Sequence, residues 1–261
     1  MRLRKDKFNK FLLLTTLCCL ASSTAYATST TTNTQSGDNN SSLLSTVTHG
    51  HLAFELGGYQ GSQGNAQHIN IQNLIGDTFT VNDHQDNNFL VGLGYFVDGK
   101  NVGCANMSYG VNAFYLAPTS VSGNVIQENL FTNLSYHYNV ANIPVYVMAK
   151  STFNLKAPFA LTVDAGIGPN FMRTYNFQES SLDGGVTLPD TIFSANTTTT
   201  FSATIGASLK INHAVGQLPL EIGYRFFYLG QGHFKTSTNQ VLNELNTGNV
   251  YANALYLSIS V

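Results

Sequence analysis

Residues 254–261 read ALYLSISV, with Leu255, Leu257, Ile259 and Val261 on one parity and Tyr256, Ser258 and Ser260 on the other. A period of two over such a stretch belongs to a β-strand with one face in an apolar medium and the other in a polar or crowded one. No polar tail follows the segment, as expected of a strand that pairs on both sides to complete a sheet. A closed barrel is one architecture that needs such a strand. The remaining strands must then be found upstream.

Seven further segments carry the same alternation. They begin at His51 (HLAFELGGYQ), Asn88 (NFLVGLGYFV), Asn106 (NMSYGVNAFYL), Ile143 (IPVYVMAKSTF), Phe159 (FALTVDAGIGPNF), Phe201 (FSATIGASLKI) and Leu218 (LPLEIGYRFFYL). Eight strands, an even number, suit an up-and-down barrel with both termini on one side. Short turns are expected at 98–103, 154–158 and 212–217, against long polar loops at 61–87, 172–199 and 230–248. Tight turns at one end and long loops at the other are the asymmetry of an outer-membrane barrel. The stretch 118–142 is ambiguous: it either extends the fourth strand above the membrane or forms its own hairpin, with Asn142-Ile143-Pro144 marking a bulge or edge.

The ionisable residues decide which face is out. Glu55, Lys150, Asp164, Lys210, Glu221 and Arg225 all fall on the less apolar parity, among Gly, Ser, Thr and Asn. A soluble, lipocalin-like barrel would turn that parity to water and would need it densely charged. The opposite parity is apolar or aromatic and uncharged, as a lipid face must be, because Lys or Arg at mid-bilayer costs roughly 2–4 kcal/mol. Its Tyr95, Tyr109, Tyr115, Tyr224 and Tyr228 are candidates for interfacial girdles, although the chain has no Trp. Glycines on the inward parity, Gly92 and Gly206 among them, suit an interior where side chains crowd. Three acidic and three basic groups in so narrow a lumen are expected to form an ion-pair network that plugs it.

The leading segment MRLRKDKFNKFLLLTTLCCLASSTAYA has five basic residues, an apolar run and Ala25-Tyr26-Ala27, the three parts of a secretory signal peptide. Its apolar run is shorter than the roughly 18 residues a spanning helix needs. Cleavage after Ala27 removes five of the 12 basic and one of the 14 acidic residues, leaving 7 against 13. That balance argues against a nucleic-acid partner. Cys104 is then the only cysteine, which excludes an intramolecular disulfide framework. Residues 28–48 are nearly all Ser, Thr, Asn and Gln and read as a disordered lead-in, with the barrel over 49–261. Charged residues make up 10% of the chain, against roughly 25% in ordinary soluble proteins.

PFALTVDAGIGPNF (158–171), EIGYRFFYLGQGHF (221–234) and the terminal NALYLSISV give a chain that resembles the small outer-membrane β-barrels of Gram-negative bacteria, the opacity-protein and OmpA-type transmembrane-domain group. The resemblance implies an all-β, eight-stranded antiparallel up-and-down transmembrane barrel in the cell outer membrane. Its surroundings would be outer-membrane lipid and lipopolysaccharide, and its long loops would meet an extracellular or host-surface partner. The chain departs from the group at Val261, where such barrels commonly carry an aromatic residue.

Candidate chemistry is sparse. YHYN at 136–139 resembles the His-x-Ser of outer-membrane lipid A deacylases, but Asn139 stands where the nucleophile would be, so only a rearranged site using Ser135 would serve. His49, His51, Asp83, His84 and Asp86 are metal-capable, yet no spacing among them matches a metal site, and no metal or other cofactor is expected. Gly92-x-Gly94 and Gly166-x-Gly168 lie on strands with no helix after them, unlike a nucleotide loop. Cys104 is expected to be a small buried thiol. The leading functional expectation is a structural or surface-interaction barrel, adhesin-like or antigen-like. A channel for small apolar molecules, lined by Phe96, Phe114, Met148 and Phe227, is the alternative, and a lipid A-modifying enzyme is the more distant one.

Overall fold

The computed structural model describes residues 50–190 and 192–261. The expected signal peptide, the lead-in and His49 lie outside the described residues. Twelve strands occur among the described residues: β1 (Gly50–Ser62), β2 (Gln67–Ile69), β3 (Asp77–Asp83), β4 (Gln85–Asp98), β5 (Ala105–Gln127), β6 (Phe131–Asn154), β7 (Phe159–Ser181), β8 (Phe193–Ser194), β9 (Asn196–Val215), β10 (Leu218–Gly230), β11 (Lys235–Thr236) and β12 (Val250–Ser260).

Eight of them close a barrel. Around the wall the order is β5-β4-β1-β12-β10-β9-β7-β6, and β6 returns to β5. Every pairing is antiparallel. The strand quoted first, β12, pairs on both sides, with β1 (Leu56 opposite Leu257) and β10 (Ile222 opposite Leu257). Closure leaves no free edge, so backbone N–H and C=O groups are satisfied within the wall, as a bilayer requires.

Alternation directs the side chains. Leu255 is 71% exposed and Val147 68%, and Phe54, Leu93, Val111, Ile167 and Ile205 face the same way. Together they form an apolar belt around the outside. Above it the outward positions turn polar on each strand that continues: Gln60, Asn87, Ser120, His137, Arg173 and Thr199 are all exposed. Phe89 and Tyr115 (ring centroids 6.4 Å apart) and Tyr228 and Tyr251 (5.7 Å) sit near this boundary.

The wall rises further above the belt than the eight segments suggested. Residues 118–142 supply the upper halves of β5 and β6, joined by a tight turn at 128–130 in which Glu128 and Asn129 have φ of 50° and 56°. They are at once an extension and a hairpin. The irregularity is in β5: Leu116 pairs with Asn142 and Thr119 with Val140, so one extra residue is inserted around Ala117-Pro118. Pro118 has no N–H to give the ladder, and the bulge accommodates it without leaving a paired strand position unfilled. Pro144 stays in register opposite Asn170. The loop expected at 61–87 is also largely strand: β2 pairs with β3, and β3 continues the line of β4 against the upper half of β5. Cys104 is exposed in the turn between β4 and β5, which corrects the expected buried thiol. The turn offers it no packed wall.

Candidate functional site

The lumen is built in layers. At the short-turn end, a cavity of about 510 Å³ opens between His51, Asp98, Lys150, Lys210 and Glu221. His51 Nδ1 lies 4.0 Å from Asp98 Oδ1. Asp83, His84 and Asp86 are at the far end of β1 and β4, since His51 pairs with Phe96 but Gly61 with Asp86. Among the described residues no group of three His, Cys, Asp or Glu side chains is placed to hold a metal ion.

Above this mouth sit the ionisable residues. Lys150 faces Asp164 in register, yet its Nζ crosses the lumen to donate to Glu221 at 2.9 and 3.0 Å. Ser208 Oγ donates to the same carboxylate at 3.0 Å. Arg225 Nη1 donates to Asp164 Oδ1 at 2.6 Å, and Nη2 reaches Glu55 Oε2 at 3.5 Å. Asn112 Nδ2 donates to the other oxygen of Glu55 at 2.6 Å. The guanidinium carbon lies over the Phe114 ring (5.1 Å to the centroid) and over the Tyr256 ring (5.0 Å), in cation–π geometry. Glu55, Lys150, Asp164, Glu221 and Arg225 are all buried. Lys210 is half-exposed in the wall of the mouth cavity, opposite Glu221 in register.

Aromatic and amide layers follow. Phe114 and Phe227 meet edge to face at 5.2 Å, and Tyr146 packs on both, its hydroxyl bonded to Ser202. Asn170 Nδ2 then donates to Asn142 Oδ1 and to the Leu229 carbonyl, both at 2.9 Å. Above the belt, Phe79, Tyr136, Tyr138, Phe177, Phe193 and Phe234 form one aromatic cluster, with neighbouring centroids 5.1–6.4 Å apart. Buried side chains therefore project inward at each of these levels, from the ion pairs to the outer connections.

Pairing partners such as Asn112, Ser208 and Tyr256 escaped the sequence reading. Their only signal is inward parity, shared with many residues that touch nothing charged. The outer aromatic cluster escaped it too, because Phe177, Phe193 and Phe234 sit in stretches without a long alternation. On the outside of β6, Ser135 Oγ donates to the Ser180 carbonyl at 3.3 Å, His137 is exposed, and Asn139 Oδ1 accepts from Asn176 at 3.3 Å. The hydroxyl that a rearranged hydrolase would use is thus engaged with backbone.

No family model matches the chain, and no curated protein matches it. Among solved structures, outer membrane protein OprG from Pseudomonas aeruginosa aligns with a TM-score of 0.47 at 11% identity, over 81% of this chain and 96% of that one. Neisserial surface protein A aligns at 0.41 and 13%, over 82% and 96%. Ail, the attachment invasion locus protein of Yersinia pestis, aligns at 0.31 and 13%, over 82% and 99%. These are likenesses in outline. The chain is a transmembrane β-barrel of the outer-membrane type. That statement rests on its own closed register and apolar belt.

Proposed function

We propose that this protein is a closed outer-membrane barrel that acts through its outer surface, in a structural or surface-interaction role, and does not conduct. The observation that carries this reading is Arg225, held between Asp164 and Glu55 across the lumen with the rings of Phe114 and Tyr256 packed beside it at 5.1 and 5.0 Å. A solute would have to separate those ions in a medium where an unpaired charge is very costly. Phe96, Phe114, Met148 and Phe227, the residues an apolar channel would use, are at most 2% exposed. Lys150 lies over the Phe96 ring and Arg225 over the Phe114 ring, and Phe114 meets Phe227 edge to face, which supports a filled interior over an open apolar path.

The test is a flux measurement on the full chain reconstituted in liposomes. Swelling in small neutral sugars and release of an entrapped apolar dye should both match protein-free vesicles. Protein-dependent swelling or dye release would overturn the closed reading.

A further inference from the structure

Beyond the apolar belt the barrel ends in a platform tied together by polar contacts. Ile75 N donates to Glu128 Oε2 at 3.0 Å, Thr78 Oγ1 to Asn129 Oδ1 at 2.7 Å, and Gln72 N to the Gln240 carbonyl at 2.8 Å. On the other side, Leu182 N donates to the Asn133 carbonyl at 2.8 Å and Asn133 Nδ2 to Thr187 Oγ1 at 2.7 Å. The tips of the four outer connections are therefore tied to one another.

Those tips display large apolar side chains to solvent. Leu74 and Ile75 are 60% and 59% exposed, Leu130 and Phe131 70% and 64%, and Val186 and Leu188 84% and 78%. The wall just below them is polar, so the lipid belt does not account for them. Clustered exposed apolar groups framed by polar residues mark an interaction surface. Charge says what kind. In residues 61–87, 117–142, 172–200 and 229–249, Asp and Glu outnumber Lys and Arg eight to two. Each apolar pair also has a carboxylate within two residues in sequence: Asp77 after Ile75, Glu128 before Leu130, Asp190 after Leu188. Such a field repels polyanions, including phosphorylated lipopolysaccharide, and attracts cations.

We infer that the outer platform docks a cationic amphipathic polypeptide, its apolar face on the Leu74, Leu130 and Val186 tips and its Lys or Arg residues on the flanking carboxylates. The inference rests on the surface-interaction reading above and supplies its partner class. An anionic glycan or lipid matches neither the charge nor the apolar tips.

The full chain in zwitterionic nanodiscs is titrated with a fluorescent amphipathic Lys–Leu repeat peptide, with its Glu–Leu counterpart, with oligolysine and with purified lipopolysaccharide. Saturable binding of the Lys–Leu peptide is expected, weakened by salt and weakened at least about tenfold by Leu130→Ser with Phe131→Ser and Val186→Ser with Leu188→Ser. Glu128→Gln with Asp190→Asn should flatten the salt dependence. Heat-modifiable gel migration checks that each variant is folded. Equal binding of the Glu–Leu peptide or oligolysine, preference for lipopolysaccharide, or unchanged affinity in the folded tip variants would overturn the inference. The liposome flux assay on the same preparation separates the two claims: a tight barrel that ignores the peptide refutes only the docking inference, and a leaky one refutes the closed reading.

Discussion

Arg225 reaches Asp164 across the bare backbone of Gly206. The two ionic residues sit on β10 and β7, which do not pair, and Gly206 of the intervening β9 is opposite both. A Cβ built on Gly206 would lie 3.0 and 3.1 Å from the Asp164 oxygens, where the guanidinium now sits at 2.6 Å. Glycine is needed here for the gap it leaves.

Gly206→Val should therefore separate the pair and destabilise the barrel by about 2–4 kcal/mol, combining overpacking with a partly uncompensated buried charge. Gly206→Ala should cost less, because the carboxylate can shift by a few tenths of an ångström. Urea unfolding in lipid vesicles, read by gel migration, orders the three proteins. Equal stability of Gly206→Val and the parent would show that the gap is not required.

Removing the cation should cost more than removing the whole group. Arg225→Met leaves Glu55 and Asp164 facing each other without a counter-ion, an effect of about 3–5 kcal/mol. Adding Glu55→Gln and Asp164→Asn should recover part of that loss. Arg225→Lys should behave more like Met than like the parent, since a single ammonium cannot serve two carboxylates and two rings as the planar fork does. A triple variant less stable than Arg225→Met would contradict the ion-pair account.

The outward face should show a depth profile. Val147→Arg and Leu255→Arg, in the middle of the belt, should each cost about 2–4 kcal/mol, and Thr197→Arg, above it, about 0–1 kcal/mol. The same unfolding assay measures all three. A flat profile would displace the belt from the bilayer.

The outer tier should respond to pH through Glu179. Burial pushes this carboxyl up to about 7, with the Asp190 and Asp77 carboxylates adding to the rise against a hydrogen bond from Asp190 N. Because the folded value lies above the ordinary 4.5, its contribution is fully present below about 4.5 and is lost as pH rises through about 7. Amide exchange over residues 176–190, corrected for intrinsic rate, should be slower at pH 5 than at pH 8. Glu179→Gln should remove the difference. Identical pH responses in the parent and this variant would assign the effect elsewhere.

The inward parity of Glu55, Lys150, Asp164, Glu221 and Arg225 was legible because a strand has only two faces and all the charges fell on one. Their partners were not. Lys150 is opposite Asp164 in the ladder yet pairs with Glu221 across the lumen, and no one-dimensional pattern encodes which side chain spans a barrel. The upper wall was obscure for a different reason. In β6 the inward parity stays the same, but the apolar residues change sides: Val147 and Ile143 point out within the belt, whereas Tyr138, Tyr136 and Leu134 point in above it. Lipid no longer bathes the outside there, so the core moves inward and a search for one apolar face loses the strand. In β5 the bulge at Ala117-Pro118 then shifts the parity itself, bringing Val121 and Val125 inside.

Closure of the lumen is tested most directly by single-channel recording of the purified full chain in planar bilayers. The parent should show no steady conductance above the bare membrane, and openings should appear only when Arg225→Ser is combined with Phe114→Ala and Phe227→Ala. Large, steady openings from the parent would contradict closure.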